Sequence, residues 1–357
     1  MTTTTTTLLR PRDSSLRPQQ ESHSAAATGL SLILLLAVAV FGCWLIGTRP
    51  LELGTDTDAY AGFYQRLKGG LVETRLEPGF VYLSYVLQQM GVSVIGYQAV
   101  LFALLLGTAA VATRRYFHYL GAASGFFTLL SASVMFLLIS PMFVNASINA
   151  IRQGLAALLV FAALLAFHQR YWWKFALWGA LATSFHYSSL LYLAFAPVLL
   201  LRPSFQRYLA AAAFLFYVSG LSMAAVRTAL PSVYQIVMEY TATTRFESGV
   251  RIDFAIFSIF WYVLPHVLAP MVRFPYRERI KDSTAVYLVL LLPFFSVGWG
   301  FFSNRYLLPG WLAVSLILAA VLCHNRLAFL RNPLLIRMCL VASCAVFYVL
   351  VTRAIVI

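Results

Sequence analysis

Long apolar runs recur along this chain of 357 residues and constrain its fold more than any other feature. Each run is about 16–22 residues long, which is close to the length that an α-helix needs to cross a bilayer. Hydrophobic residues make up 61% of the chain and charged residues 11%, which leaves too few polar residues to surround a water-soluble core. The sequence therefore predicts an all-α polytopic membrane protein and excludes a soluble globular protein.

About eleven transmembrane helices are expected, within a range of ten to twelve. The predicted spans are 28–48, 94–113, 120–143, 147–167, 171–186, 187–201, 207–226, 254–272, 284–300, 305–323 and 337–353. The fifth and sixth are short, with His186 between them, and are predicted to form a tight helical hairpin. Residues 79–93 are too few to cross and are expected to form an interfacial or re-entrant segment.

The expected domain organisation is a polar tail followed by one membrane domain. Residues 1–27 contain a run of threonines and are rich in Ser, Pro and Gln, so they are predicted to form a disordered cytoplasmic tail. The first apolar run lacks a small-residue cleavage site and is interpreted as a retained span. Residues 28–357 then form a single transmembrane domain, with outer loops at 49–93 and 227–253.

The distribution of charge predicts the orientation in the membrane. With the N-terminus in the cytoplasm, 16 of the 26 basic residues but only 4 of the 12 acidic residues fall on the cytoplasmic side. The positive-inside rule therefore favours an N-in/C-out topology. This topology accounts for the net charge of +14 without a nucleic-acid partner, and it predicts a cavity at the outer face, where the unusual polar residues lie.

Arg152 stands near the head of an apolar segment, where a charge costs on the order of 1–3 kcal/mol depending on its depth. Asn149, Arg152 and Gln153 fall at positions i, i+3 and i+4 and are expected to share one helix face. The planar fork of donors on arginine suits a phosphate or a carboxylate. The alternative is a structural arginine that extends its charge to the membrane surface.

Acidic residues of the first outer loop are candidates for proton transfer. Asp56 and Asp58 suit the removal of a proton from a sugar hydroxyl, or the binding of a divalent ion. The alternative is a solvated loop in which one of them caps a helix. Glu77, which precedes Pro78, is either a loop anchor or a ligand for substrate.

Other candidates lie on the same predicted side. His186 is either structural or a group that moves protons or donates to a pyrophosphate oxygen. Arg305, followed by Tyr306, heads another apolar segment and repeats the arrangement at Arg152. Arg245 and Arg251 lie in a loop of mixed charge, where they either pair with neighbouring acids or help to surround an anionic group.

Sequence motifs for nucleotide and zinc chemistry are absent: there is no P-loop, no dinucleotide fingerprint and no H-E-x-x-H. The four cysteines lie in apolar runs without a C-x-x-C pair, so neither a metal site nor a disulfide framework is indicated. No cofactor is expected, and a divalent metal is left open.

Four of these segments together resemble the EpsG family, the Wzy-like membrane proteins of exopolysaccharide and capsule gene clusters. The segments are Asp56-x-Asp58-x-Tyr60 with Glu77-Pro78-Gly79-Phe80, Asn149-Ala150-Ile151-Arg152-Gln153-Gly154-Leu155-Ala156, Phe185-His186-Tyr187-Ser188-Ser189, and Ser248-Gly249-Val250-Arg251-Ile252-Asp253-Phe254. The Arg-Gln pair followed one span later by Phe-His is the most specific. The resemblance runs from about Asp56 to Arg305.

The resemblance implies a multi-pass glycosyltransferase of the bacterial inner membrane, similar at a distance to GT-C-type enzymes. It would join oligosaccharide repeat units, carried on undecaprenyl pyrophosphate, into exopolysaccharide, capsule or O-antigen at the periplasmic face. A chain-length regulator and a flippase are candidate protein partners, beside the lipid bilayer itself.

The residues can be assigned roles in such a reaction. Asp56 or Asp58 is the candidate base, and Arg152 and Arg305, with Gln153 and His186, are expected to hold the diphosphate. Further substrate contacts are expected from Glu77, Asn149, Arg245, Arg251 and Tyr306.

Three other functions are compatible with parts of the pattern, and one of them is a purely structural partner in a polysaccharide assembly complex. A flippase or exporter of lipid-linked oligosaccharide would also need an anion-binding cavity, but the sequence shows no internal repeat. A membrane O-acyltransferase that modifies the glycan would need a histidine-centred site with access for a cytoplasmic acyl donor, whereas His186 is predicted to lie outside.

Overall fold

The computed structural model describes residues 17–239, 249–300 and 303–355. Sixteen α-helices and three short 3₁₀ segments make up the secondary structure of these residues, apart from one isolated bridge between Val272 and Asn325. In chain order the helices are α1 (Arg17–Gly47), α2 (Thr57–Arg66), α3 (Pro78–Gln89), α4 (Val94–Tyr119), α5 (Phe126–Leu138), α6 (Pro141–Ile148), α7 (Ile151–His168), α8 (Trp172–Phe185), α9 (Ser189–Ala194), α10 (Pro203–Val218), α11 (Leu221–Ala229), α12 (Pro231–Glu239), α13 (Ile252–Leu268), α14 (Tyr276–Val297), α15 (Ser303–Cys323) and α16 (Pro333–Thr352).

Seven of these helices are long and apolar enough to cross a membrane: α1, α4, α7, α13, α14, α15 and α16. Two more pairs, α5–α6 and α10–α11, reach that length together but are bent by 81° and 80°, so each is a broken span or a re-entrant loop. The described residues thus hold seven to nine candidate spans, as befits an all-α polytopic membrane protein, rather than the expected eleven.

The predicted spans at 171–186 and 187–201 account for most of the difference. Helix α8 has 14 residues, and the next segment divides into α9 and a 3₁₀ segment at Ala196–Leu200. Pro197 stands at this division. Its ring clashes with the preceding turn and it has no N–H to donate, so the α-helical hydrogen-bond pattern is interrupted there. The two segments still pack against each other as a short helical hairpin.

Local backbone chemistry explains the two sharp bends. Ser140 is extended, with ψ of 121°, because the residue before a proline avoids the α region, and Pro141 then starts α6. Gly220 lies between α10 and α11 with φ of 76°, a conformation that glycine adopts without strain. Each bend therefore follows from one residue that cannot, or need not, continue the helix.

Two helix boundaries differ from the sequence-based expectation. Helix α1 begins at Arg17, within the tail that was expected to lack structure, where Gln, Glu and Ala are good helix formers. Helix α7 begins at Ile151, and Asn149 instead caps the end of α6. The prediction that Asn149 shares a helix face with Arg152 and Gln153 is therefore wrong.

Helix α7 is the centre of the bundle. Of its residues, 89% are buried, against 28% of the apolar window in α1 and in α13. Its sequence allows this burial, because glycine and alanine residues alternate with larger apolar ones and let neighbouring helices approach on every side. The neighbouring helices consequently hold the first turn of α7, which carries Arg152, in place.

One end of the bundle brings together the loop after α1, the α6–α7 junction, the end of α8 and the start of α15. Thr57 donates from Oγ1 to the carbonyl of Ile148 at 3.1 Å, and the N–H of Thr55 donates to Oδ1 of Asn149 at 2.8 Å. These bonds fasten the loop to the head of α7. We call this end of the molecule the site end.

Gly154 of α7 lies in close contact with Ala146 of α6. A Cβ at this position would lie 2.8 Å from Cβ of Ala146 and 2.9 Å from its carbonyl oxygen. We expect Gly154→Ala to destabilise the protein by about 1–3 kcal/mol, because neither backbone can move without displacing the head of α7. Thermal unfolding in detergent measures this loss.

Gly107 of α4 provides the matched control. A Cβ there would meet no atom within 4 Å, so Gly107→Ala should be neutral or slightly stabilising. Equal unfolding temperatures for the two variants would contradict the close packing of α6 on α7.

Candidate functional site

A buried carboxylate is the centre of the site end. Glu77, which is 3% exposed, directly precedes α3, and Pro78 occupies the first helical position. The backbone of Glu77 is extended, with ψ of 142°, as a residue before proline prefers. This conformation lets the side chain turn away from α3, and it contacts the head of α7 and the end of α8 instead.

Glu77 binds two cationic or potentially cationic side chains at once. Its Oε2 accepts a hydrogen bond from Nη1 of Arg152, and its Oε1 accepts one from Nδ1 of His186 at 2.7 Å. The backbone N–H of Tyr187 donates to the same Oε1 at 3.2 Å. Burial alone would raise the pKa of Glu77, but the bond from His186 and the charge of Arg152 outweigh it and hold the pKa at about 2.

Arg152 is oriented by a second partner. Its Nε donates to the hydroxyl of Tyr60 at 3.2 Å, and its guanidinium lies 5.9 Å from the centre of the Tyr60 ring. Burial raises the pKa of Tyr60, so its phenol stays neutral and accepts this bond. Two of the three nitrogens of the fork thus bond to side chains of the protein, and Nη2 has no hydrogen bond to another of the described residues.

The contact with Glu77 also determines the orientation of the His186 ring. A carboxylate can only accept, so Nδ1 carries the hydrogen and Nε2 is the second functional nitrogen of the imidazole. His186 directly follows α8, and its side chain is 23% exposed. The same carboxylate–imidazole arrangement positions histidine bases in many hydrolases and transferases.

A second acid–arginine pair lies nearby and is looser. Nη2 of Arg305, at the start of α15, lies 3.5 Å from Oδ2 of Asp56, and the two side chains are 39% and 36% exposed. Gln153 donates from Nε2 to the backbone carbonyl of Arg305, which joins the heads of α7 and α15. Arg305 is therefore anchored by its backbone while its guanidinium lies in a partly solvated place.

These groups surround one cavity of about 490 Å³, a size that suits a small ligand group. Its polar lining includes Asp56, Arg152, Gln153, His186 and Arg305. Ser188, Tyr306 and Gly300 complete this lining, and Ile236 and Val237 of α12 form an apolar wall. The cavity brings together two guanidinium groups, a histidine and the carboxylate of Asp56, and Glu77 holds two of these groups from outside the lining.

Six predicted site residues line this cavity, namely Asp56, Arg152, Gln153, His186, Arg305 and Tyr306, and Glu77 binds two of them, whereas others lie elsewhere. Asp58 is exposed on α2 and is not among the residues that line the cavity. Asn149 is buried and uses its amide to bind Asn145 and Thr55, so it anchors the loop. Arg251 pairs with Asp253 at 2.6 Å. Arg245 lies outside the described residues.

Sequence reasoning missed the functions of Glu77 and Tyr60. Glu77 was considered as an anchor or a substrate ligand, but not as the partner of both Arg152 and His186. Tyr60 was considered only as part of the Asp56-x-Asp58-x-Tyr60 motif, without a role of its own, yet it lies one helical turn after Asp56 at the start of α2. That i, i+4 spacing was the available signal that both residues face the same way.

No metal-binding group of three or more His, Cys, Asp or Glu side chains occurs within residues 17–239, 249–300 and 303–355. The arrangement that the structure does show is organised around arginines and one imidazole. It is suited to stabilising an anionic leaving group and to accepting a proton.

The low pKa of Glu77 predicts how stability depends on pH. The unfolded carboxyl titrates near 4.5 and the folded one near 2, so the stability that Glu77 contributes is complete above pH 4.5. It should be lost as the pH falls from 4.5 to about 2, because the unfolded chain takes up the proton first. Thermal unfolding midpoints measured across this window report the loss.

Glu77→Gln is the control for that measurement, because the amide cannot titrate. The variant should be less stable at neutral pH and should lack the part of the acid dependence that Glu77 contributes. If the unfolding midpoint falls equally steeply with decreasing pH in both proteins, other acidic residues account for the acid dependence.

Comparison with known proteins identifies a family for this chain. The model of the EpsG family matches residues 32–356, which is nearly the whole chain and includes every described residue of the cavity. No curated protein and no solved structure is detectably similar to the chain.

Proposed function

The chain belongs to the EpsG family of Wzy-like polymerases, and on that premise we propose that it joins oligosaccharide repeat units carried on undecaprenyl pyrophosphate. The product is exopolysaccharide, capsular polysaccharide or O-antigen. The reaction takes place at the outer face of the bacterial inner membrane, with the N-terminus in the cytoplasm. A chain-length regulator and a flippase are its proposed protein partners.

The observation that supports this proposal best is the cavity with its two arginines and one oriented histidine. In the proposed reaction, a hydroxyl of the acceptor unit attacks the anomeric carbon of the donor glycan, and the lipid pyrophosphate leaves. This chemistry needs cations for the charge that develops on the leaving group and a base for the hydroxyl proton. The cavity holds groups of both kinds.

Arg305 is the proposed cation for the pyrophosphate. Its pair with Asp56 is long and partly solvated, so a ligand oxygen would replace this one carboxylate at little cost. Arg152 is bound tightly by Glu77 and Tyr60, and it contributes to ligand binding through Nη2 and through its charge. The two arginines, which looked equivalent in the sequence, therefore have different roles.

His186 is the proposed base. It lines the cavity, and its Nδ1 hydrogen is held by Glu77, so that Nε2 can take the proton of the acceptor hydroxyl while Glu77 stabilises the resulting imidazolium. Asp56 also lines the cavity but faces Arg305. Asp58 is exposed on α2, which leaves it a weaker candidate than the sequence suggested.

The test uses the purified protein in lipid vesicles, supplied with undecaprenyl-pyrophosphate-linked repeat units. Wild-type protein should produce longer glycans, and Arg305→Ala should lower the rate by ~10²–10³ with a loss of stability of about 0–1 kcal/mol. Arg152→Ala should lower the rate and also cost about 3–5 kcal/mol, because it leaves the Glu77 charge buried without its partner. Glycan length by gel and thermal unfolding midpoints separate the two effects.

Two outcomes would contradict this proposal. Unchanged glycan length with wild-type protein would exclude polymerase activity under these conditions and favour a transporter. Persistent long-chain polymer from Arg152→Ala, in a producing host with normal protein level, would remove Arg152 as a required residue. Arg152→Lys should also fail, because lysine cannot bind Tyr60 and Glu77 through a planar fork.

The assignment of the base predicts a contrast between two substitutions. His186→Asn keeps an N–H donor close to the position of Nδ1 but has no basic nitrogen, so its rate should fall by ~10²–10⁴. Asp58→Asn should stay within about twofold of wild type, as expected for an exposed residue. The same vesicle assay, with both protein levels matched, measures the contrast.

A larger loss of rate in Asp58→Asn than in His186→Asn would contradict His186 as the base and favour Asp58 of α2. Equal and large losses in both variants would mean that the cavity of the ligand-free protein rearranges around the substrate.

A further inference from the structure

An apolar groove of about 430 Å³ lies on the outside of the bundle, next to the site end. It runs along the exposed face of α8, between α3 and α9, and we call it the α8 groove. Its lining on α8 includes the small residues Ala176, Gly179, Ala180 and Thr183, while Leu190 and Leu193 of α9 form one side. The groove therefore follows the helix for about two turns.

The end of the α8 groove that is nearest to the site end meets the cavity at a single turn of the chain. Ser184 and Tyr187 line the groove, whereas His186 and Ser188 line the cavity. Consecutive Cα atoms are about 3.8 Å apart, so this turn between α8 and α9 is a boundary that both spaces share. Pro78, directly after Glu77, also lines the groove.

A second apolar groove, of about 310 Å³, lies between α10, α11 and α14, and we call it the α11 groove. Its lining residue nearest in sequence to the cavity lining is Ser296, four residues before Gly300. Leu230 precedes Ile236 of the cavity by six residues, which span about 9 Å in a helix. Unlike the α8 groove, the α11 groove has no lining residue that is adjacent in sequence to a lining residue of the cavity.

We propose that the α8 groove binds the polyprenyl tail of the lipid-linked donor, an inference that rests on the function proposed above. A pyrophosphate is joined to its tail by a single C–O bond, so the tail must begin within a few ångströms of the diphosphate. The α8 groove meets this requirement more closely than the α11 groove, because its lining residues Ser184 and Tyr187 flank the cavity residue His186, whereas the nearest lining residues of the α11 groove and the cavity, Ser296 and Gly300, are four residues apart. The complementary charge for the diphosphate lies directly across the shared turn, on Arg152 and Arg305.

The groove positions the tail more than it attracts it. A tail that enters the groove leaves one apolar environment, the bilayer, for another, so the gain in free energy is small. The benefit is that the anomeric carbon of the donor is held at a fixed distance from His186. Misplacement of a reacting group by about 1 Å costs up to ~10²-fold in rate.

Two tryptophan substitutions test the proposal in vesicles. Ala180→Trp fills the α8 groove, and Ala225→Trp fills the α11 groove; both positions are exposed alanines on apolar helices. Ala180→Trp should lower kcat/KM for the lipid-linked donor about tenfold. Ala225→Trp should stay within about twofold of wild type, with unfolding midpoints of both variants unchanged.

Photo-cross-linking of wild-type protein locates the tail directly. The probe is undecaprenyl pyrophosphate with a diazirine on the isoprene unit nearest to the pyrophosphate. Cross-links are expected between residues 176 and 193, and unlabelled undecaprenyl pyrophosphate should compete for them. Because this measurement needs no turnover, a wild-type protein that fails to lengthen glycans would count against the proposed function and not against the groove.

Three results would overturn the proposal. The first is equal kinetic loss in the two tryptophan variants. The second is cross-linking confined to residues 213–230, which would favour the α11 groove. The third is a change in the size of the purified particle caused by Ala180→Trp alone, which would mean that a helix of a second copy occupies the α8 groove.

Discussion

The site end depends on the contacts that the carboxylate of Glu77 makes with Arg152 and His186. This carboxylate is buried at the start of α3, and it binds α7 through Arg152 and α8 through His186. Three chain segments that are far apart in sequence are thereby joined by the two oxygens of one side chain. A buried charge with fewer partners would be costly, so the site tolerates Glu77 only when both partners are present.

Arg152 has a structural role that is separate from any contact with substrate. An arginine at the head of the most buried helix requires a counter-charge, and the protein supplies one from its own first loop, on Glu77. The pair between Arg305 and Asp56 is longer and more exposed. In the proposed reaction, Arg152 would therefore hold the site together and Arg305 would receive the charge of the leaving group.

Much of this arrangement could be predicted from the sequence. Apolar runs predict the all-α membrane architecture, and the distribution of charge places Asp56, Arg152, His186 and Arg305 on one side; in the structure these residues line one cavity. The number of spans could not be predicted, because run length does not show whether a helix breaks at Pro197 or Gly220. The length of apolar runs alone therefore gives more candidate spans than the described helices do.

Tertiary contacts explain what the sequence could not show. The position of Asn149 was predicted wrongly because the chain breaks at Ala150, with ψ of 45°, where neither proline nor glycine signals an interruption. The role of Glu77 depends on α3 approaching α8 so closely that a Cβ on Gly79 would lie 2.5 Å from Oγ of Ser184. Such an approach depends on two helices that are far apart in the chain.

The two walls of the cavity differ in the way they are held. On one side, hydrogen bonds from Thr55 and Thr57 attach the first loop to the α6–α7 junction, so that loop and helix move as one body. On the other side, α12 packs through side-chain faces: the Tyr234 ring lies 5.3 Å from that of Trp299 and 5.9 Å from the guanidinium of Arg227, and Val237 packs closely against Gly300. Directional hydrogen bonds resist displacement, whereas such packing contacts can slide. A bulky ligand would therefore displace α12 at a lower cost than the groups that hold the charged side chains.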